Sequence, residues 1–248
     1  MRLNSHDMQL KTFVISFLLV CCQGVLHAQH SAVHVVILGD SNTWIGGDSC
    51  TGEKAWSKWF VDAFQPASCR SYARSGATWT VTSLSKRNTL QNVDILADDN
   101  VIFNQMFRLE EAIDSGLQPS PDLILINAGT NDAWFHRQRP LRSLQPSIEY
   151  VCRELRQRVP RAQIILLTPI PSGRIDSVRL RRVSDVISAS GQQMGLHVIR
   201  QDTETATGRL SWKEYGERYT TDGIHTNREG ARRNGQYIAN LLNTIVTE

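Results

Sequence analysis

The chain has 248 residues, a length that suits one α/β domain once an N-terminal leader is set aside. With 41% hydrophobic and 21% charged residues, the composition is that of a globular protein and excludes fibrous, repetitive and disordered classes. The formal net charge of +3 is too small to indicate a nucleic-acid partner, and we predict none.

The first residues have the layout of a secretory signal peptide. Arg2 and Lys11 precede an apolar run at 12–20, and Ala28 supplies a small residue at which cleavage can occur. The apolar run is shorter than the ~20 residues that a membrane span needs. We therefore expect the leader to be cleaved and not to stay in the membrane.

This layout predicts a signal peptide at 1–28 and one domain at 29–248, exported to the periplasm or the extracellular space. We expect no stable membrane insertion of the mature chain. The alternative is a lipid anchor on Cys21 or Cys22, which the bulky Val20 disfavours.

Apolar runs and amphipathic stretches alternate along the remainder of the chain. Buried strands are predicted at 33–38, 68–73, 122–127, 163–167 and 196–199. Helices are predicted at 55–64, 106–113, 147–159 and 176–194, with a closing helix from about residue 227. The polar stretches 77–103 and 201–224 are predicted to be mainly irregular, the first with a short helix.

Strands that are apolar throughout and alternate with helices indicate a parallel sheet that is covered on both faces. The predicted fold is therefore a three-layer, doubly wound α/β fold with a mostly parallel sheet of about five strands. In such folds the ligand lies at the carboxyl ends of the strands. The residues that carry the chemistry are then expected directly after the apolar runs.

Four polar or glycine-rich clusters stand at such places in the chain. They occupy residues 39–43, 75–78, 128–132 and 221–225, the last of them just before the closing helix. Because the carboxyl ends of parallel strands lie at one edge of the sheet, we expect these distant clusters to converge there.

In this order, the clusters resemble the motif blocks of the SGNH (GDSL-like) hydrolase superfamily, whose fold is flavodoxin-like. Gly-Asp-Ser at 39–41 matches the first block and Gly76 the glycine of the second. Gly-Thr-Asn-Asp at 129–132 matches the third block, and Asp-Gly-Ile-His at 222–225 matches the last. The resemblance covers roughly residues 33–246.

The resemblance implies a serine esterase in which Ser41 is the nucleophile, His225 its base and Asp222 the carboxylate that orients the base. A serine hydroxyl needs a neighbouring base to take its proton, and a neutral imidazole oriented by a carboxylate can do so. The oxyanion donors would be the backbone N–H groups of Ser41 and Gly76 and the side-chain amide of Asn131.

Taken singly, each of these residues also suits a structural role, since a serine can cap a helix and a glycine can permit a turn. Four matches in family order favour catalysis. The rival classes are a phosphate-binding module and a catalytically idle carbohydrate-binding module on the same fold. Asn42 departs from the family pattern, because many members carry an apolar or aromatic residue there.

We expect the substrate to be a small or oligosaccharide ester with a short acyl group, most often acetyl. The segments 46–52, 82–92 and 201–221 are polar, whereas long acyl chains need an apolar trench. The alternative is a lysophospholipase or lipase on the same site. Candidate substrate-lining residues are Asp40, Asn42, Trp44, Trp79, Trp134 and His136.

The cysteine and histidine spacings resemble no zinc site, and we predict neither a metal nor a cofactor. Cys152 lies on an apolar helical stripe and is predicted to be a buried thiol. Cys50 and Cys69 are predicted to be unbridged, because their places at opposite ends of the sheet would separate them by roughly 20 Å.

Overall fold

A computed structural model describes residues 30, 32–80, 101–135, 141–203 and 211–245. Within it, five parallel strands form one sheet in the order β2-β1-β3-β4-β5. The strands are β1 (His34–Gly39), β2 (Ser68–Ser71), β3 (Leu123–Asn127), β4 (Gln163–Leu167) and β5 (His197–Ile199). The predicted doubly wound α/β fold is confirmed.

Helices follow most of the strands. They are α1 (Ser41–Trp44), α2 (Trp56–Phe64), α3 (Ile102–Asp114), α4 (Thr130–Phe135), α5 (Leu144–Arg158), α6 (Ser177–Gln193), α7 (Trp212–Tyr219) and α8 (Arg228–Ile245). Helices α3, α5 and α6 cover one face of the sheet, and α2 and α8 cover the other.

The apolar strands build a core on each face because successive side chains of a strand point to opposite sides. On β1, Val36 and Leu38 join the core beneath α3, α5 and α6, whereas Val35 and Ile37 join the core beneath α2 and α8. The strands β3 and β4 alternate in the same way. This double burial explains why no polar residue interrupts these runs.

Helices α2 and α8 pack closely because Gly235 lies at their contact. A Cβ at this position would come within 2.3 Å of the backbone oxygen of Trp56. The predicted helices match α2, α3, α5, α6 and α8 to within a few residues, whereas the short helices α1 and α4 and the helix α7 were not predicted. Helix α7 lies within the polar stretch 201–224, where the prediction placed no helix.

Helix α7 begins with a capping motif, which the prediction overlooked because the surrounding sequence is polar. Ser211 accepts a hydrogen bond from the backbone N–H of Glu214, and the Glu214 carboxylate accepts one from the backbone of Ser211. This reciprocal pair is a capping box, which the Ser-x-x-Glu spacing encodes. Most of the other polar stretch, residues 81–100, lies outside the described residues.

The predicted separation of Cys50 and Cys69 is wrong, since their sulfur atoms lie 3.6 Å apart as free thiols. The prediction kept the segment after α1 at the carboxyl edge of the sheet. Instead it folds back along the edge strand β2, where the Asp48 carbonyl accepts a hydrogen bond of 2.8 Å from the Ser71 N–H. Cys152 is buried, as predicted.

Among the helices of the described ranges, none combines the length and the apolar character that a membrane crossing requires. The signal peptide predicted at 1–28 lies outside those ranges. Cleavage and export therefore stay predictions.

Candidate active site

Ser41 lies at the carboxyl end of the central part of the sheet. Strand β1 ends at Gly39, and Asp40 then caps α1 by accepting a hydrogen bond of 3.1 Å from the backbone N–H of Asn42. Ser41 is the first residue of this short helix and is buried except for 6% of its surface. The turn from strand to helix thus presents a single hydroxyl at the sheet edge.

His225 lies against this hydroxyl, although 184 residues separate the two in sequence. Its Nε2 is 2.9 Å from the Oγ of Ser41, and its Nδ1 is 2.7 Å from Oδ2 of Asp222. The structure therefore brings the three predicted residues together in the order serine, imidazole, carboxylate.

Asp222 is fixed by its own turn. Its Oδ1 accepts hydrogen bonds from the backbone N–H groups of Ile224 at 2.9 Å and His225 at 2.8 Å. Partial burial raises the pKa of Asp222, but these bonds and the imidazole outweigh it and hold the pKa below its usual value. The carboxylate facing the imidazole is therefore ionised at neutral pH.

The turn that carries His225 is tied to two other segments. The carbonyl of Gly223 accepts hydrogen bonds from the Gly173 N–H at 3.0 Å and from the Ser172 hydroxyl at 2.7 Å. The backbone N–H of Thr226 donates to the Asn42 side chain at 3.2 Å. Ser172, Gly173 and Asn42 thus position the imidazole.

The candidate oxyanion donors come from three turns that contact one another. The Arg74 N–H donates to the Gly39 carbonyl at 3.1 Å, and the Asn131 Nδ2 donates to the Ala77 carbonyl at 3.0 Å. An amide carries two hydrogens, so Asn131 keeps one for another acceptor. Within the described part of the chain, the N–H groups of Ser41 and Gly76 donate to no acceptor.

Gly76 has a φ of 76°, in the left-handed region that favours glycine. A Cβ there would meet nothing within 4 Å, so the dihedral angle and not space requires the glycine. This conformation allows the chain to turn after β2 beside Asn131.

The buried carboxylate of Asp132 stabilises the segment that follows Gly76. It accepts hydrogen bonds from the backbone N–H groups of Trp79 at 3.0 Å and Thr80 at 3.2 Å, and from the Thr80 hydroxyl at 2.9 Å. Burial raises the pKa of Asp132 to about 6 and that of Asp40 to about 6, although hydrogen bonds oppose this in both.

Three of the predicted substrate-lining residues are buried. Trp79 is fully buried in the core, Asp40 is buried and caps α1, and Asn42 is buried and accepts a hydrogen bond from the Thr226 N–H. Proximity in sequence to a motif block does not decide on which side of the turn a side chain lies. Trp44, by contrast, is 42% exposed.

Trp134 is partly buried at the end of α4, and the guanidinium carbon of Arg174 lies 5.9 Å from the centre of its ring. His136 lies outside the described residues. The remaining histidines with strand positions, His34 and His197, begin β1 and β5 and therefore lie at the opposite edge of the sheet.

Gln105 is a positioning residue that the sequence analysis missed. Its Oε1 accepts a hydrogen bond of 2.8 Å from the Gly39 N–H, and its Nε2 donates one of 2.9 Å to the Gly39 carbonyl. A Cβ on Gly39 would also come within 2.6 Å of the Asn127 carbonyl oxygen. One glutamine on a helix gives no sequence signal for such a clamp.

The sequence profile of the GDSL-like lipase/acylhydrolase family matches residues 37–233. The chain therefore belongs to this family of ester hydrolases. Among curated proteins, none matches the chain in sequence.

Solved structures share the fold at low sequence identity. A lipase/acylhydrolase from Enterococcus faecalis is 17% identical with a TM-score of 0.59, and the match covers 86% of this chain and 96% of that one. A carbohydrate acetylesterase from Sinorhizobium meliloti is 18% identical with a TM-score of 0.58, covering 86% and 99%. At these identities the likeness concerns the fold alone.

Proposed function

We propose that this protein hydrolyses carboxylic esters through an acyl-enzyme formed on Ser41. The observation that supports the proposal most directly is the hydrogen-bonded series from Ser41 through His225 to Asp222. In this proposal the Nε2 of His225 takes the proton of the hydroxyl as Oγ attacks the ester carbonyl. The same nitrogen then returns the proton to the departing alcohol.

Water completes the cycle by attacking the acyl-enzyme. His225 takes a proton from the water, the acid departs, and Ser41 regains its hydrogen. Asp222 holds the imidazole with Nε2 toward the serine and stabilises the imidazolium that forms in each half of the reaction. The free N–H groups of Ser41 and Gly76 and the second amide hydrogen of Asn131 would stabilise the oxyanion.

We propose short acyl esters of carbohydrates, chiefly acetyl esters, as the substrates. The segment 46–52 after Ser41 is polar, and Trp44 exposes an aromatic face that suits stacking on a sugar ring. The likeness in fold to the carbohydrate acetylesterase agrees with this proposal. Export through the predicted leader at 1–28 would bring the enzyme to extracytoplasmic saccharides.

The test compares kcat/KM for acetyl and octanoyl esters of 4-nitrophenol, together with acetate release from acetylated oligosaccharides. We expect the acetyl ester to turn over faster and acetate to be released. Faster octanoyl turnover with no acetate release would contradict the carbohydrate assignment and favour a lysophospholipase or lipase. Absence of hydrolysis of every ester would contradict the catalytic assignment.

A further inference from the structure

The loop that joins β4 to α6 lies beside the candidate active site. Its residues Ser172 and Gly173 hold the carbonyl of Gly223, next to Asp222. The next residue, Arg174, lies against the same turn, because a Cβ on Gly223 would come within 2.6 Å of the Arg174 Cγ. The stem of Arg174 therefore packs against the turn that carries Asp222 and His225.

Arg174 also reaches helix α4, which carries Asn131. Its guanidinium carbon lies 5.9 Å from the ring centre of Trp134, three residues after Asn131. Arg179 approaches the same segment, since its Nε donates a hydrogen bond of 3.0 Å to the Ala133 carbonyl. Two arginines of the β4–α6 region thus contact the elements that carry the candidate catalytic groups.

A groove of about 470 Å³ opens at this place. It is lined by Arg174, Asp176, Val178, Arg179 and Arg182. Three arginines and one aspartate line it, and Oδ1 of Asp176 already accepts a hydrogen bond of 2.7 Å from the backbone N–H of Arg179. Among the described carboxylates, none pairs with Arg174 or Arg182.

This excess of positive charge suits an anionic group on the substrate. A guanidinium presents several N–H donors in one plane, which matches the two oxygens of a carboxylate. The neighbouring Trp134 adds an aromatic surface next to Arg174. A sugar that carries a carboxylate meets both features, because its ring packs on apolar surface while its charge lies among the arginines.

We propose that Arg174, Arg179 and Arg182 form a subsite for a carboxylate on the alcohol half of the ester. The substrate is then an acetylated acidic saccharide, such as an oligosaccharide of uronic acids. The inference rests on the proposed function, which supplies the reaction, and adds the charge of the sugar that the enzyme selects.

The test uses one acetylated oligogalacturonide in two forms, with its carboxylates free or methyl-esterified, so that only the charge differs. We expect the parent enzyme to favour the free form by about tenfold or more in kcat/KM, the range for hydrogen bonds to charged groups. This preference should shrink as salt concentration rises, because the groove is open to solvent.

Variants locate the effect. Arg174→Gln and Arg182→Gln should each abolish most of the preference for the free form, whereas Arg153→Gln, on the exposed face of α5, should keep it. Comparing the two substrate forms within each variant removes any general effect on the catalytic turn. A preference that survives in both groove variants would overturn the subsite.

A binding measurement keeps this inference separate from catalysis. In the Ser41→Ala background, calorimetric titration with the free oligogalacturonide should show binding about tenfold weaker when Arg174→Gln is added. Hydrolysis of 4-nitrophenyl acetate with no preference for the free form would overturn the subsite alone. If a lysophosphatidate were turned over faster than the oligogalacturonide, and this depended on the same arginines, the saccharide assignment would be overturned in favour of a phospholipid.

Discussion

Among single residues, His225 should have one of the largest effects on the rate of hydrolysis. In the proposed mechanism its imidazole accepts the proton of Ser41 and then returns it to the leaving alcohol, so no other group can replace it without rearrangement of the site. We expect His225→Ala to lower kcat by at least about 10⁴-fold. Asp222→Asn should lower it less, by up to about 10⁴-fold, since the imidazole stays in place.

The control for this prediction is His197→Ala, an exposed histidine at the opposite edge of the sheet. It should keep the kcat of the parent. Initial rates on 4-nitrophenyl acetate provide the measurement. Activity that survives in His225→Ala would assign the base to another residue.

Asp132 should make the stability of the fold depend on pH. Burial raises its pKa from 3.8 to about 6, so the folded state binds a proton that the unfolded state has already lost in this interval. Its contribution is full below pH 3.8 and is lost as the pH rises through 6. The change corresponds to about 3 kcal/mol in the free energy of unfolding.

Asp132→Asn removes this titration. In urea unfolding, the free energy of unfolding of the parent should fall relative to that of the variant by about 2 kcal/mol from pH 4 to pH 7. A difference that shifts in favour of the parent would mean that the three hydrogen bonds to the carboxylate outweigh its burial.

Much of the candidate site could be predicted from single residues, because of where they stand in the chain relative to the predicted strands and helices. Ser41 stands directly after a predicted strand, at the sheet edge where ligands bind, and the order of the motif blocks, which resembles that of the SGNH hydrolases, paired it with Asp222 and His225. The orientation of Trp79 and the clamp made by Gln105 could not be predicted. Both depend on how separate turns pack against each other.

At the scale of elements, the segment after α1 and the edge strand β2 bring Cys50 and Cys69 together. The hydrogen bond from the Cys69 thiol lowers the pKa of Cys50 and favours its thiolate, the form that reacts in disulfide exchange. The sulfurs, 3.6 Å apart, have to approach to roughly 2.0 Å for a bond to form.

We expect oxidised glutathione to join these two thiols. Two protein thiols become one disulfide, and the oxidant is reduced to two molecules of glutathione. Peptide mapping should show the loss of two hydrogens, and the cross-link should stabilise the protein by about 3 kcal/mol, given that the cysteines are 19 positions apart in sequence. In Cys69→Ser neither change should occur.

Failure of the two thiols to form a disulfide would contradict this prediction. If Cys50 and Cys69 both remain open to alkylation in the folded protein after treatment with oxidised glutathione, the contact between the loop and β2 is looser than the structure indicates. No rise in melting temperature would then be seen.

At the scale of the whole molecule, the sheet and its coverage could be predicted because burial on both faces leaves an unbroken apolar run in the sequence. Strands β1, β3 and β4 are such runs. The return of residues 46–52 along β2 could not be predicted, because it depends on backbone hydrogen bonds such as that of Asp48. Helix α7 was missed because it stands in a polar stretch, although Tyr215 and Tyr219 form a buried face and Ser211 and Glu214 cap its start.

For the whole molecule, we predict that ester hydrolysis depends on one hydroxyl, that of Ser41 after β1. Ser41→Ala should unfold at nearly the same temperature as the parent and lose essentially all hydrolysis of 4-nitrophenyl acetate. Ser115→Ala, at an exposed position after α3, should lose none.

The most direct measurement is labelling by a fluorophosphonate, which modifies activated serines. We expect the parent to take up one label, mapped by mass spectrometry to the peptide that contains Ser41, and the folded Ser41→Ala variant to take up none. Label on another serine, with esterase activity retained in Ser41→Ala, would contradict the account.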